Sequence, residues 1–285
     1  LAYRPPCDMA GLLRFFAVRA LPGVEAVDGH GVRRTLALSH QGRPLAGWVV
    51  ARFVPTRHEV ELQLAPALLP ALGTVLQRVR HAFDLDADPA LIDPVLANVP
   101  VSTARPARPG IRLPGGMDGF EIAARAILGQ QVSVAAARTL TLRLVERFGT
   151  AVLTPFPDLH RLFPDAATLA AARPDAIGRL GIVRQRVRAL QALAAAVAEG
   201  RIALHRGAPL AATLEALRAL PGIGEWTTEL IAMRALAWPD AFPASDIGVL
   251  NALGTRDIRR VKALADEWRP WRSYAVIRLW QTLEK

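Results

Sequence analysis

Lysine is almost missing from this chain. Of its 35 basic residues only Lys262 and Lys285 are lysine, so chemistry that needs a lysine nucleophile finds none between Leu1 and Val261. Cysteine is limited to Cys7, which excludes a disulfide framework, a cysteine-based zinc site and a four-cysteine iron–sulfur cluster. The six histidines are scattered without ligand spacing. No apolar run approaches the ~20 residues that span a bilayer, and no secretory leader is recognisable. A cytoplasmic protein is therefore expected. A methionine start is also missing, and a chain that opens at Leu1 is expected to be part of a longer one. Acidic residues are outnumbered, 25 against 35, for a net charge of +10. An Arg-rich proteome alone would produce this balance, but it also suits a polyanionic partner. Because the positive charge is nearly all guanidinium, it can fork onto phosphate oxygens as lysine cannot.

What is present divides by texture. At 285 residues the chain can hold one large core or two to three small ones. The first ~95 residues mix signals, with a helix from Asp8 to Arg19 and strands over Val32–Ser39, Gly47–Val54 and His58–Leu64. Pro66 to Phe83 reads as one helix, with Leu68, Leu72, Val75, Val79 and Phe83 at helical spacing. A small antiparallel sheet with helices on one side fits this pattern. Prolines crowd Asp84–Gly116, which reads as a connector with little regular structure. Helices alone follow, over Asp118–Leu128, Val132–Phe148, Asp165–Ala172, Pro174–Leu180, Arg184–Glu199 and Pro209–Ala219. Asp118 with Glu121 makes a capping-box start for the first of them. The last 45 residues hold a helix around Asp257–Glu267, a Trp268–Trp271 corner and a final helix carrying Tyr274, Ile277 and Trp280.

One stretch organises the rest: Leu220-Pro221-Gly222-Ile223-Gly224, then a helix from Glu225 and, twenty residues after Trp226, Asp246. Two glycines around one apolar residue make a hairpin whose backbone can approach a partner closely, with Ile223 turned inward to lock it. Free amides at the start of the following helix form an anion site suited to a DNA phosphate. Singly, each piece has a plainer meaning. A Gly-x-Gly is usually just a turn, and Ser245-Asp246 before a helix is more often an N-cap. Together, in order and at this spacing, they resemble the helix-hairpin-helix DNA base-excision glycosylases. Arg112-Leu113-Pro114-Gly115, Arg125-Ala126-Ile127-Leu128-Gly129-Gln130 and Trp268-Arg269-Pro270-Trp271-Arg272-Ser273-Tyr274-Ala275 carry the resemblance to that superfamily's alkylation-repair branch, the 3-methyladenine DNA glycosylase II type, over nearly the whole chain.

The resemblance implies an α+β molecule, a helix-hairpin-helix core of two helical domains behind an N-terminal antiparallel sheet domain. The expected division is 1–94 for the sheet domain, 95–118 with 239–285 for a helical domain carrying Asp246, and 119–238 for one ending in the hairpin. It implies a monofunctional N-glycosylase acting on alkylated purines, 3-methyladenine-type lesions above all. Double-stranded DNA would be the partner, with a monomeric enzyme, no diffusible cofactor and another repair domain fused at the N-terminus.

Site roles follow residue by residue. The backbone around Gly222, Ile223, Gly224 and Thr227 would hold phosphate, with Gln130 beside it. Hairpin carbonyls near Arg218, Leu220 and Ile223 would suit Na⁺ or K⁺, with no side-chain metal site. Gln131 would fill the gap left by a flipped base, where this branch carries leucine; its plain alternative is a polar residue at a helix end. Trp280, Trp226 and Phe15 would line the base pocket, although aromatics at helical spacing are more often core. Leu230 and Ile247 stand where the branch has aromatics, so the cavity is expected to be less aromatic and its lesion range open. Asp246 would stabilise the sugar cation as the N-glycosidic bond breaks, or orient the attacking water. Strand-cutting members carry a Schiff-base lysine where this chain has Trp226. Two other readings stand beside this one: a non-catalytic helix-hairpin-helix protein that binds bent or damaged DNA, and a glycosylase for deaminated or etheno purines.

Overall fold

The computed structural model describes residues 1–100 and 108–283. The middle of the expected connector and Lys285 lie outside them. The N-terminal part builds a four-stranded antiparallel meander, β1 (Glu25–Val27), β2 (Gly31–His40), β3 (Arg43–Val54) and β4 (Glu59–Leu64), in the order β1-β2-β3-β4. Gln41 and Gly42, both at positive φ, turn β2 into β3. A two-residue hairpin loop that matches strand twist requires this backbone. The register pairs Thr35 with Trp48 and Phe53 with Val60. Before the sheet stands α1 (Met9–Arg19), whose first turn is capped by the Asp8 carboxylate on the Gly11 amide. After it the chain runs as a 3₁₀ segment, Pro66–Ala71, and then α2 (Leu72–Ala82). The single helix expected from Pro66 thus splits, because Pro70 has no N–H to continue an α-helical ladder. Leu12 and Phe16 of α1, Val75 and Val79 of α2, and Val49 and Val60 of the sheet close one apolar cluster.

The expected connector contains a helix, α3 (Pro89–Leu96). Its prolines conceal an ordinary start, with Asp88 capping the Ala90 amide and Pro89 in the first turn, where its missing N–H costs nothing. The helical part follows as α4 (Gly119–Leu128), α5 (Val134–Phe148), α6 (Ala166–Ala171), α7 (Pro174–Gly178), α8 (Arg184–Ala198), α9 (Leu210–Arg218), α10 (Glu225–Ala235), α11 (Ile247–Ala252), α12 (Ile258–Ala265) and α13 (Arg272–Thr282). Its spine is α4, buried along nearly its whole length and packed against α8 and α10. A second apolar cluster runs from Ile92 of α3 through Ile127, Leu190 and Ile231 to Leu279 of α13.

A buried ionic junction fastens sheet to helices. Arg34 on β2 donates to Glu25 and, at 2.5 Å, to Glu121 on α4, and Glu121 also accepts from Arg125 at 2.9 Å. The capping box is therefore half formed: Asp118 caps the Glu121 amide at 2.8 Å, while the Glu121 side chain serves the junction. Two guanidiniums hold the Glu121 carboxyl below its usual range against the cost of burial, whereas burial raises Glu25. No helix among the described residues is long and apolar enough to cross a membrane.

Candidate active site

The ends of α1, α4, α5, α8, α10, α11 and α13 and one tight turn converge on a cleft of about 1030 Å³. The hairpin between α9 and α10 forms one wall. Gly222 sits at φ +78°, a backbone that side-chain-bearing residues rarely adopt, and Ile223 is buried in the helical core as its position between the glycines predicts. Gly224 is different. Its backbone is extended, at φ −93° and ψ −175°, and a Cβ added there would meet nothing within 4 Å. The first glycine is needed for the turn, and the second leaves open space in front of it. No side chain caps α10, so the amides of its first turn keep their N–H groups for a ligand, at the positive end of the helix dipole.

Asp246 lines the same cleft and caps α11. Its Oδ1 accepts from the Val249 amide at 3.0 Å and from Trp280 Nε1 at 2.8 Å, and its Oδ2 from Trp226 Nε1 at 2.9 Å. Capping and facing the cleft, two alternatives in the sequence, are thus properties of one side chain. Trp226 and Trp280 approach it by their N–H edges, so their contribution is hydrogen bonding as well as ring surface. Gly248 makes room for this: a Cβ there would lie 2.8 Å from Trp280 Cδ1 and 3.0 Å from Asp246 Oδ1. Phe15, on α1, lies nearly parallel to the Trp280 ring, 6.4 Å between centroids and 11° between planes. Leu230 adds a plain apolar wall, and Ile247 stands largely exposed at the rim.

Gln131 is on the cleft too, exposed in the turn between α4 and α5, at φ +55°. Ser133 starts α5 by capping the Ala136 amide, so Val132 belongs to the turn and not to the helix expected there. The side chain of Gln130 does not face outward. It donates to the Gly222 carbonyl and to Thr227 Oγ1, each at 2.9 Å, while its own carbonyl accepts from Arg186.

Sequence reasoning missed the arginines of the cleft, Arg19, Arg125, Arg138, Arg186 and Arg234. Arg234 holds the Pro114 and Gly115 carbonyls at 3.0 and 3.1 Å, and its guanidinium carbon lies 4.8 Å from the Phe15 ring centre. Burial, together with repulsion from Arg19 and Arg125, lowers its pKa to about 9. A signal existed: Trp226, Leu230 and Arg234 recur every four residues and so share one face of α10. Lys262 pairs with Glu225 at 2.9 Å and is not among the described residues that line the cleft. The described residues contain no cluster of histidine, cysteine and carboxylate groups able to hold a metal.

Comparison with known proteins gives concordant matches. Residues 1–118 match the AlkA N-terminal domain, and residues 124–266 match the HhH-GPD superfamily base excision DNA repair protein model. The chain is 35% identical to DNA-3-methyladenine glycosylase 2 of Escherichia coli, over 99% of this chain and 96% of that protein. It is 38% identical to a probable bifunctional transcriptional activator/DNA repair enzyme AlkA of Mycobacterium tuberculosis, of which it spans only 56%. Among solved structures, the 3-methyladenine DNA-glycosylase of Archaeoglobus fulgidus superposes with a TM-score of 0.75 at 21% identity, over 99% of this chain and 96% of that one.

Proposed function

The chain belongs to the HhH-GPD superfamily of base excision DNA repair proteins and carries the AlkA N-terminal domain; on that premise we propose that it excises alkylated purines from duplex DNA by hydrolysing the N-glycosidic bond, without cutting the strand. A base within a duplex is out of reach, so the nucleotide must rotate out. The hairpin amides and the first turn of α10 hold a backbone phosphate. Gln131 enters the gap, and the flipped base lies against Trp280, whose ring face attracts a cationic purine, with Phe15 beside it carrying the Arg19 guanidinium at 3.7 Å. Three backbone carbonyls, of Arg218, Leu220 and Ile223, are neutral oxygen donors of the kind that suits a monovalent cation at the hairpin.

Bond cleavage builds positive charge on the sugar, and a fixed carboxylate stabilises it. An N3- or N7-alkylated purine is already positively charged and leaves without a general acid, so one carboxylate suffices where most glycoside hydrolysis needs two. The observation that carries the reading is the clamping of both Asp246 oxygens by indole N–H groups within the cleft. With Trp226 in place of an amine, no Schiff base forms there.

The test is incubation with methylated duplex DNA and chromatography of the released bases. Asp246→Asn preserves an oxygen to cap α11, so the variant should fold and bind duplex while base release drops on the order of 10²–10³-fold. Borohydride added to the wild-type reaction should trap no protein–DNA adduct. Full turnover by a folded Asp246→Asn protein would rule the mechanism out.

A further inference from the structure

Gln130 lies next to the gap-filling residue, yet its amide is turned 92 positions along the chain to the hairpin. The Gly222 carbonyl can only accept, so the atom facing it must be the amide nitrogen, and the same nitrogen donates to Thr227 Oγ1. A hydroxyl that accepts from Gln130 must direct its own proton elsewhere. Thr227 is buried and lines the cleft, and its hydroxyl donates to no group among the described residues. That proton is left for whatever occupies the cleft beside the hairpin amides. The backbone of the same turn is fastened as well, by Arg186 on the Gln130 carbonyl, and the next residue is Gln131 at φ +55°.

We propose that Gln130 is a positioning residue: it orients the Thr227 hydroxyl toward a DNA phosphate oxygen and ties the Gln131 turn to the hairpin, so that strand grip and gap filling are coupled. The inference rests on the glycosylase reading for the identity of the ligand, but not on any particular lesion. One side chain serves both ends because both partners lie within reach of one –NH₂ group, which has two protons to give.

A double-mutant cycle on duplex binding separates this role from simple packing. The probe is a duplex carrying a tetrahydrofuran abasic analogue, which needs no catalysis. Gln130→Leu and Thr227→Val should each weaken binding roughly tenfold, the effect of one lost hydrogen bond. If Gln130 acts through the hydroxyl, the double variant should also lose roughly tenfold. A loss near one hundredfold would make the two residues independent and overturn the proposal, as would unchanged binding by Gln130→Leu. Thr227→Ser retains the hydroxyl and should bind as wild type does; if it binds no better than Thr227→Val, the hydroxyl is not the link. Should Gln130→Leu fail to fold, the Thr227→Ser and Thr227→Val pair still decides whether an oriented hydroxyl contributes. A 2-aminopurine beside the analogue reports the second half: its fluorescence gain on binding should fall for Gln130→Leu as it does for Gln131→Ala. Base release by the wild-type protein is assayed in parallel. No release with a non-additive cycle would refute the glycosylase reading and leave the coupling intact; release with an additive cycle would do the reverse.

Discussion

At the scale of single residues, Asp246 is defined by what surrounds it. An ionised carboxylate only accepts hydrogen bonds, and here three donors from three separate elements converge on it. The Trp226 bond is the one whose loss should be visible without disturbing the cap. Trp226→Phe preserves a ring and removes the N–H. A hydrogen bond to a charged group contributes about 1.5–3 kcal/mol, so single-turnover base release should slow roughly 10- to 100-fold with duplex affinity held. An unchanged rate would mean that Trp280 and the Val249 amide position the carboxylate alone. The hairpin spacing linked Asp246 to Trp226, and the resemblance to the glycosylase superfamily added Trp280 to the same cleft. It did not show which edge of each indole faces the acid, because that depends on Gly248, whose missing side chain matters only once α11 and α13 are packed.

Among the elements, the hairpin is the most informative, since its two glycines have separate reasons. At φ +78° an alanine is strained by about 1–2 kcal/mol, and at Gly222 its Cβ would press on the Ala189 Cβ at 3.1 Å. Gly222→Ala should therefore lower the melting temperature. Gly224→Ala, with an extended backbone and open space before it, should melt as wild type and instead weaken duplex binding, since the new methyl occupies the approach to the α10 amides. If both variants melt alike, the division between turn and approach is wrong. Helix starts were legible where a short polar side chain precedes an apolar run free of proline, as at Asp8, Asp118 and Asp246. They were hidden at α3, where proline density reads as a connector while Asp88-Pro89 is in fact a cap and first turn. The split at Pro70 and the start of α5 at Val134, behind the Ser133 cap, rather than at Val132 are the same lesson at smaller size: local backbone chemistry overrode an apolar period.

For the molecule as a whole, the junctions between its parts carry its pH response. Asp84, at φ +50° after α2, accepts from the Leu113 amide at 2.9 Å and from the Tyr274 hydroxyl on α13 at 2.8 Å. Burial outweighs these donors and raises its pKa to about 6. A carboxyl that is harder to ionise in the fold than in the unfolded chain stabilises the fold fully below pH ~4, and that contribution is lost as pH rises through about 6. The shift corresponds to roughly 2–3 kcal/mol. Asp84→Asn retains an acceptor for both donors and cannot ionise, so its denaturation midpoint should depend less on pH between 4 and 8 than that of the wild type. Parallel curves would show that Asp84 ionises in the fold as readily as in the unfolded chain. The overall class was legible, an antiparallel sheet followed by helices. What was not is the fastening of one to the other, since Arg34 and Glu121 lie 87 positions apart and the one motif that contains Glu121, the capping box, assigns its side chain to its own helix.

The arginines of the cleft and Asp246 also give the cavity two poles. Arg19, Arg34, Arg125 and Arg234 outnumber the Glu25, Asp118 and Glu121 carboxylates set among them, which leaves one end positive, and the Asp246 carboxylate makes the other negative. Releasing an alkylated purine shifts positive charge from the base to the sugar. With the purine toward the guanidinium pole and the sugar toward Asp246, the charge moves down the built-in potential, and the neutral base that results no longer feels the gradient that expelled its charge. Facing the opposite way, the same nucleotide would have to drive its charge uphill. Polarity, as much as shape, sets the orientation in which a lesion can react here.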